Sequence, residues 1–229
     1  MNEKKLYIIK MGSTFQRIKE KYGDFEDWII KRIDIDKNLI KVIDVWKDEL
    51  PDIKFCKGVI VTGSHDMVTD NHPWSVKVEK WIPKLLENEI PYLGICYGHQ
   101  LLAKAIGGYV DFNPEGEKFG TIMINLTNEA INDSLFSKMP PKFFAYVSHP
   151  QIVFDLPEEA EILAYDTSKI IYSFRIGKCA WGVQFHPEFD ENIMKEYLLK
   201  YDNKNFFSLK ISDNQSKNIL KQFCYLINI

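Results

Sequence analysis

The sequence predicts an α/β fold in which a mostly parallel central sheet carries helices on both faces. In the first half of the chain, short apolar runs typical of buried strands alternate with amphipathic helical stretches, as parallel sheets require. In the second half, closely spaced strands follow one another with little helix between them, which favours an additional antiparallel ribbon. A helical extension is expected at the C-terminus.

The predicted elements follow from apolar spacing. A capped helix is expected near Asp24, and a helix begins at Pro73, with Pro83 expected to kink or interrupt it. A further helix is predicted at 190–201 and a terminal helix from Ser212. The predicted strands are residues 6–10, 39–45, 58–61, 90–95, 109–112, 120–126, 143–147, 162–165, 170–176 and 180–185.

Composition narrows the class of protein. The chain has 229 residues, of which 45% are hydrophobic and 27% are charged, and this is ordinary for one globular α/β domain with an appendage. The net charge of -3 gives no electrostatic reason to expect nucleic acid or an anionic membrane surface as a partner. No run approaches the ~20 apolar residues of a membrane span. The scattered cysteines, without a C-x-x-C pair, indicate reduced thiols and a cytoplasmic location.

The stretch around Cys96 is the first chemical candidate. A buried strand ends at Ile95, and a helix with one apolar face follows Cys96. Gly94 and Gly98 allow the close packing that a strained strand-to-helix elbow needs. A helix N-terminus favours an anion, so this position suits a reactive thiolate. The alternative is an inert buried cysteine.

The second candidate is the end of a predicted strand, Val183-Gln184-Phe185-His186-Pro187-Glu188. Residues two apart on an extended chain point to the same side, so Glu188 can orient the ring of His186. A thiol needs such a base, and the base needs a third group, to act as a nucleophile at neutral pH. Alternatively, His186 packs beneath a helix and Glu188 begins one.

The pairing of Gly94-Ile95-Cys96-Tyr97-Gly98-His99-Gln100 with His186-Pro187-Glu188 resembles the class I, triad-type glutamine amidotransferases, and in particular the glutaminase domain of GMP synthase. The resemblance extends over roughly residues 4–188. It implies a flavodoxin-like three-layer sandwich, with a class I glutamine amidotransferase domain at 1–200. Residues 201–229 are then a C-terminal extension packed on the same domain.

The resemblance implies that Cys96, His186 and Glu188 form a catalytic triad that hydrolyses glutamine through a γ-glutamyl thioester. The backbone of Tyr97 and of the Gly63-Ser64 loop would form the oxyanion hole. Ser64 stands where the family usually has a second glycine. Among the remaining candidates, the resemblance implies substrate-binding roles for Gln100, Ser148, His149 and Gln151, although Pro150 replaces a usual glycine.

Three functions remain open at this point. The first is a glutaminase that serves a separate synthetase, since the stretch after Glu188 is too short for a synthetase domain. The second is a stand-alone γ-glutamyl hydrolase or peptidase, and the third is a non-catalytic regulatory module of the same fold. No cofactor and no metal are predicted, because His65 and His72 match no ligand spacing. His99 is expected to be a packing residue.

Overall fold

The computed structural model describes residues 3–200 and 215–229. In these residues strands and helices alternate along the first half, and strands dominate the second. The strands are β1 (Lys5–Lys10), β2 (Ile40–Asp44), β3 (Cys56–Val61), β4 (Tyr92–Ile95), β5 (Tyr109–Phe112), β6 (Lys118–Leu126), β7 (Lys142–His149), β8 (Gln151–Asp155), β9 (Ala160–Tyr165), β10 (Ile171–Ile176) and β11 (Ala180–Val183). The helices are α1 (Gln16–Tyr22), α2 (Phe25–Ile33), α3 (Pro73–Glu87), α4 (Tyr97–Ala105), α5 (Asn128–Ile131), α6 (Glu191–Lys200) and α7 (Asn218–Leu226).

Nine strands form one sheet in the order β2-β1-β3-β4-β11-β10-β9-β6-β7. The strands from β2 to β11 are paired in parallel, and the neighbours from β11 to β7 are antiparallel. β5 and β8 pair separately as a two-stranded antiparallel ribbon. The predicted fold class is therefore confirmed, and most of the antiparallel part continues the central sheet.

Helices cover both faces of the parallel strands and give three layers. On one face, α2 and α7 bury Ile29 and Phe223 against Leu6 and Ile60. On the other, α3 and α4 bury residues such as Ile82 against the opposite side of the same strands. Because consecutive side chains of a strand point to opposite faces, the continuous apolar runs of β1 and β3 supply both cores. The described part of the predicted extension, α7, thus lies within the main core.

Two predictions about helices have different outcomes. Asp24 caps α2 with a reciprocal bond to Asp27, which confirms the predicted capped helix. In contrast, α3 is helical through Pro83, so the expected interruption is wrong. Val78 and Ile82, both fully buried, anchor α3 on the sheet on the N-terminal side of the proline. This packing outweighs the single hydrogen bond that proline removes.

Some elements lie outside the prediction. The sequence analysis does not predict α1, α5 or β8, and β8 begins beside the site described below. The predicted helix start at Ser212 lies outside the described residues. No helix in the described ranges is long and apolar enough to cross a membrane.

Candidate active site

Cys96 occupies a strained elbow between β4 and α4. Its backbone angles are φ 50° and ψ -98°, in the left-handed half of the map that non-glycine residues rarely adopt. A Cβ atom at Gly98 would lie 2.5 Å from the Val61 carbonyl oxygen, and one at Gly94 would collide with the carbonyl of Gly98. The two glycines therefore allow the close backbone packing that was predicted, which holds the thiol at the carboxyl end of the sheet.

The pairing of β11 with β4 brings the second motif to this elbow. Val183 lies opposite Ile95, and its carbonyl accepts the N–H of Cys96 at 2.8 Å. β11 ends at Val183, two residues before the predicted end, although the N–H of Gln184 still donates to the Tyr172 carbonyl of β10 at 2.9 Å. The N–H of His186 then donates to the Tyr146 carbonyl at 2.9 Å, which fixes the turn that carries the ring.

His186 and Glu188 form a buried pair next to the thiol. Nδ1 of His186 lies 2.7 Å from Oε1 of Glu188, and the two residues are 3% and 1% exposed. Burial alone lowers the pKa of His186, but the charges of Glu188 and Cys96 and their hydrogen bonds raise it above its ordinary value. The arrangement therefore favours a protonated ring that bridges the carboxylate and the thiol.

Aromatic packing fixes the plane of the His186 ring. Phe189 stacks on it with ring centroids 4.1 Å apart, and Phe25 stacks at 6.3 Å. Phe25 is the first residue of α2, so the Asp24 cap that begins this helix also positions the Phe25 ring against His186. These contacts leave the imidazole few alternative orientations.

The loop after β3, which contains Gly63 and Ser64, lies next to His186 and Cys96. A Cβ atom at Gly63 would lie 3.1 Å from Cε1 of His186 and 3.8 Å from Cβ of Cys96. The φ of Ser64 is not positive, so the loop accepts a serine without backbone strain. Tyr97 begins α4, and the N–H groups of a helix's first turn have no intrahelical acceptor. Two of the residues predicted to supply backbone donors, Gly63 and Tyr97, therefore lie next to Cys96.

A cavity of about 220 Å³ opens beside Cys96. It contains all four of the predicted substrate-binding residues together with Ser64, and residues that no motif had indicated. The lining residues that belong to motifs named from the sequence are Ser64, Cys96, Gln100, Ser148, His149, Pro150 and Gln151, and the additional ones are His65, Asp66, Met67 and Glu117. Of these four, His65 has the clearest sequence signal, because it directly follows the Gly63-Ser64 loop at the carboxyl end of a parallel strand.

His149 is held as a neutral ring. Its Nδ1 lies 2.9 Å from the Gln151 carbonyl and its Nε2 lies 2.9 Å from the Tyr172 hydroxyl. A carbonyl only accepts, so Nδ1 carries the proton and Nε2 accepts from Tyr172. Burial lowers the pKa of His149 to about 3. With both nitrogens engaged, His149 shapes the cavity and is not a second base.

Gln100 and Gln151 form much of the cavity wall through their own hydrogen bonds. Nε2 of Gln100 donates to the Gln151 carbonyl at 2.9 Å and to Oε1 of Gln184 at 3.0 Å. The Gln151 side chain accepts the N–H of Val68 at 3.0 Å and donates to the Thr69 hydroxyl at 2.6 Å. The Gln151 amide is thus held by residues 68 and 69, the segment that packs directly against it.

Two further residues of the cavity lining, Ser148 and His65, make contacts close to Cys96 and to α6. The Ser148 carbonyl accepts from the Cys96 thiol at 3.8 Å, which places this segment directly over the sulfur. Nε2 of His65 lies 3.0 Å from the Tyr197 hydroxyl. Burial and the nearby charge of His186 lower the pKa of His65 to about 4, so this ring is neutral near pH 7.

The remaining histidines lie away from the reacting groups. His99 is fully buried against Gly182, where a Cβ atom would lie 2.6 Å from its Nδ1, and it contacts the ring of Phe174. His72 is partly exposed and lies 3.7 Å from both Asp66 and Asp70. Within residues 3–200 and 215–229, no group of three or more His, Cys, Asp or Glu side chains is arranged to hold a metal ion.

Comparison with known proteins identifies the class to which this fold and site belong. The family model for class I glutamine amidotransferases matches residues 19–205, so the chain belongs to the class I glutamine amidotransferase family. The matched region contains Cys96, His186 and Glu188, and it ends close to the last described residue of α6.

Two relatives with different activities resemble the chain. One subunit of the glutamine-hydrolysing GMP synthase of Methanococcus maripaludis is 38% identical over 145 residues, which cover 63% of this chain and 70% of that protein. Gamma-glutamyl peptidase 5 of Arabidopsis thaliana is 28% identical over 221 residues, covering 93% of this chain and 87% of that protein. A solved glutamine amidotransferase from Thermotoga maritima superposes with a TM-score of 0.76 at 22% identity, and each chain is covered to 97%.

Proposed function

We propose that this protein hydrolyses the side-chain amide of glutamine to glutamate and ammonia, and that the ammonia serves a separate synthetase. The observation that carries the proposal is the meeting of Cys96 with the buried His186–Glu188 pair at the mouth of one cavity. Likeness to a GMP synthase that is built from separate subunits supports a synthetase on another chain. Four unpaired cysteines support a cytoplasmic location.

The first half of the reaction forms the thioester. The Cys96 thiolate attacks the γ-carbonyl carbon of glutamine, and the electron pair of the carbonyl moves onto its oxygen. Backbone N–H groups of Tyr97 and of the Gly63-Ser64 loop stabilise this oxyanion. When the intermediate collapses, the carbon–nitrogen bond breaks and protonated His186 gives its proton to the leaving nitrogen. Ammonia and a γ-glutamyl thioester result.

The second half releases glutamate. His186, now neutral, takes a proton from a water molecule as the water oxygen attacks the thioester carbon. The carbon–sulfur bond then breaks and the thiolate is restored. Glu188 acts throughout by holding Nδ1–H of the ring, which keeps Nε2 directed toward the sulfur and stabilises the imidazolium.

A stand-alone γ-glutamyl peptidase is the second candidate. It is favoured by the likeness to Gamma-glutamyl peptidase 5, which extends over nearly the whole of both chains. The same thioester forms in both reactions, and only the leaving amine differs. In a peptidase, that amine would be the amino group of a peptide.

A substrate comparison with the purified chain tests both candidates. Ammonia release from glutamine and amine release from a γ-glutamyl dipeptide are measured for the wild type and for Cys96→Ala. We expect glutamine hydrolysis that is absent from Cys96→Ala. A kcat/KM at least ~10-fold higher for the dipeptide, which is about 1.4 kcal/mol of differential stabilisation, would favour the peptidase. Wild type that turns over neither substrate, alone or with cell extract, would favour the non-catalytic module.

A further inference from the structure

Gly12 and Ser64 meet where two neighbouring parallel strands end. β1 and β3 lie side by side, so the loops that leave their carboxyl ends are also adjacent. Thr62 ties these loops together, since its N–H donates to the Ile9 carbonyl at 3.0 Å and its hydroxyl accepts the N–H of Met11 at 3.0 Å. The loop that carries Gly63 and the predicted oxyanion donor is therefore fixed against the end of β1.

The absence of a side chain at Gly12 makes room for Ser64. A Cβ atom at position 12 would lie 2.5 Å from Oγ, 3.1 Å from Cβ and 3.3 Å from Cα of Ser64. The φ angle of Gly12 lies outside the left-handed range, so its backbone conformation is open to any residue. The space taken by Ser64, and not backbone strain, is what requires glycine here.

Ser64 has little freedom to retreat from such a contact. Its hydroxyl donates to the Asp66 carboxylate at 2.8 Å and accepts the N–H of Asp66 at 3.2 Å. On the opposite side, Gly63 already packs against the ring of His186 and Cβ of Cys96. The loop is thus held between the end of β1 and the reacting groups, and any displacement of Ser64 also displaces the backbone of Gly63.

We propose that Gly12 is a positioning residue that sets the oxyanion-binding loop through its contact with Ser64. It touches no reacting atom, and its effect passes through the backbone of residues 63 and 64. The proposal rests on the proposed function, because only a reaction through Cys96 places an oxyanion at this loop. It also explains how a serine is accommodated where the family usually has glycine.

The test is a set of substitutions that relieve, in steps, the contact between a side chain at position 12 and residue 64. Gly12→Ala should lower kcat for the preferred substrate roughly 10- to 100-fold with little change in KM, because a displaced donor weakens the transition state more than substrate binding. The same substitution is then made in Ser64→Ala and Ser64→Gly backgrounds, where the closest contacts are 3.1 Å and 3.3 Å. In each background, the kcat of the Gly12→Ala protein is divided by the kcat of the protein that keeps Gly12. The loss of kcat should be largest with Ser64, smaller with Ser64→Ala and smallest with Ser64→Gly.

Controls separate this effect from misfolding and from damage to the thiol. Ser13→Ala, which changes the exposed neighbour of Gly12, should leave kcat unchanged. Gly12→Ala should still unfold in one cooperative transition, with a midpoint lowered by the added contact, and should keep the rate at which iodoacetamide alkylates Cys96. If Gly12→Ala does not fold, Gly12→Ala/Ser64→Ala carries the test, and a kcat below that of Ser64→Ala supports the proposal.

The outcomes distinguish this proposal from the proposed function. Wild type that hydrolyses neither glutamine nor a γ-glutamyl dipeptide overturns both. Active wild type with an equally active Gly12→Ala overturns only the positioning role. An equal loss of kcat in all three Ser64 backgrounds also overturns it, since Gly12 would then act through some other contact.

Discussion

The two walls of the cavity are built by different physical means. The wall with Cys96 and His186 depends on backbone geometry: parallel strands, a positive φ and glycines in close contact. The opposite wall, formed by residues 148–151 and 65–68, depends on hydrogen bonds from buried side chains such as His149 and Gln151. In the proposed reaction, the first wall holds the reacting groups and the second shapes the space for substrate. Substitutions in the two walls should therefore affect kcat and KM differently.

The largest effect is expected at His186, on the first wall. His186→Ala removes both the base and the acid of the proposed reaction, so kcat should fall by roughly 10⁴-fold or more while KM changes little. Steady-state ammonia release measures this, with circular dichroism to verify folding. His72→Ala is the matched control, because this histidine is partly exposed and does not line the cavity. Near-normal turnover by His186→Ala would mean that another group is the base.

Glu188→Gln should have the next largest effect, also on kcat. A neutral amide orients the ring less well, and kcat should fall by roughly 10²- to 10⁴-fold. The pH profile gives a sharper signal. The carboxylate raises the pKa of His186, so its removal lowers that pKa and the ring loses its proton at lower pH. His65 and His149, which also face this ring, stay neutral and add no opposing titration near pH 7.

The decrease of kcat at high pH, which is the alkaline limb of the pH profile, should consequently occur at lower pH in Glu188→Gln than in the wild type. Measurement of kcat from pH 6 to 10 for both proteins checks this shift. A limb that stays in place, or moves to higher pH, would show that Glu188 does not support the protonated ring.

On the second wall, Gln151→Ala should mainly raise KM. It leaves the buried N–H of Val68 without its acceptor and frees the segment that faces Ser148. The lost buried hydrogen bond should lower the free energy of unfolding by about 1–3 kcal/mol. The altered wall should fit substrate less well, so KM should rise by roughly 10-fold with kcat within a few-fold of wild type. Initial rates over a range of glutamine concentrations separate the two constants. A fall in kcat with unchanged KM would contradict the assignment of kcat to the first wall and KM to the second.

The smallest effect is expected for Tyr172→Phe. It removes the hydroxyl that donates to Nε2 of His149, while the other ring nitrogen keeps its bond to the Gln151 carbonyl. KM should rise only a few-fold, and the free energy of unfolding should fall by about 1–3 kcal/mol. Urea denaturation and initial rates measure the two effects. A larger loss in kcat than in KM would assign His149 to the chemistry.

The same contrast explains what the sequence could predict. Cys96 with its flanking glycines, and His186 with Glu188, are short local motifs that can be read from the sequence, and the expectation that the two motifs meet came from the resemblance to the class I glutamine amidotransferases. The strand end at Val183 and the continuity of α3 through Pro83 could not, because packing decided them. The link from Val68 to Gln151 joins residues far apart in the chain. No local pattern signals such a contact, and it is this kind of contact that builds the second wall.

The space that Gly12 gives to Ser64 is a tertiary contact of the same kind. The resemblance places Ser64 where a glycine is usual, and Gly12, which leaves room for it, lies about fifty positions earlier in the loop after β1. Departures from a family motif are therefore best judged from the residues that face them in the fold.

The central claim, that the Cys96 sulfur forms a covalent bond to the side-chain carbonyl carbon of the substrate, is tested most directly by labelling with an electrophilic glutamine analogue. Intact-mass and peptide analysis should find one adduct, on Cys96, that excess glutamine prevents and that His186→Ala forms far more slowly. An adduct on another residue, or glutamine hydrolysis by Cys96→Ala at the wild-type rate, would contradict the account.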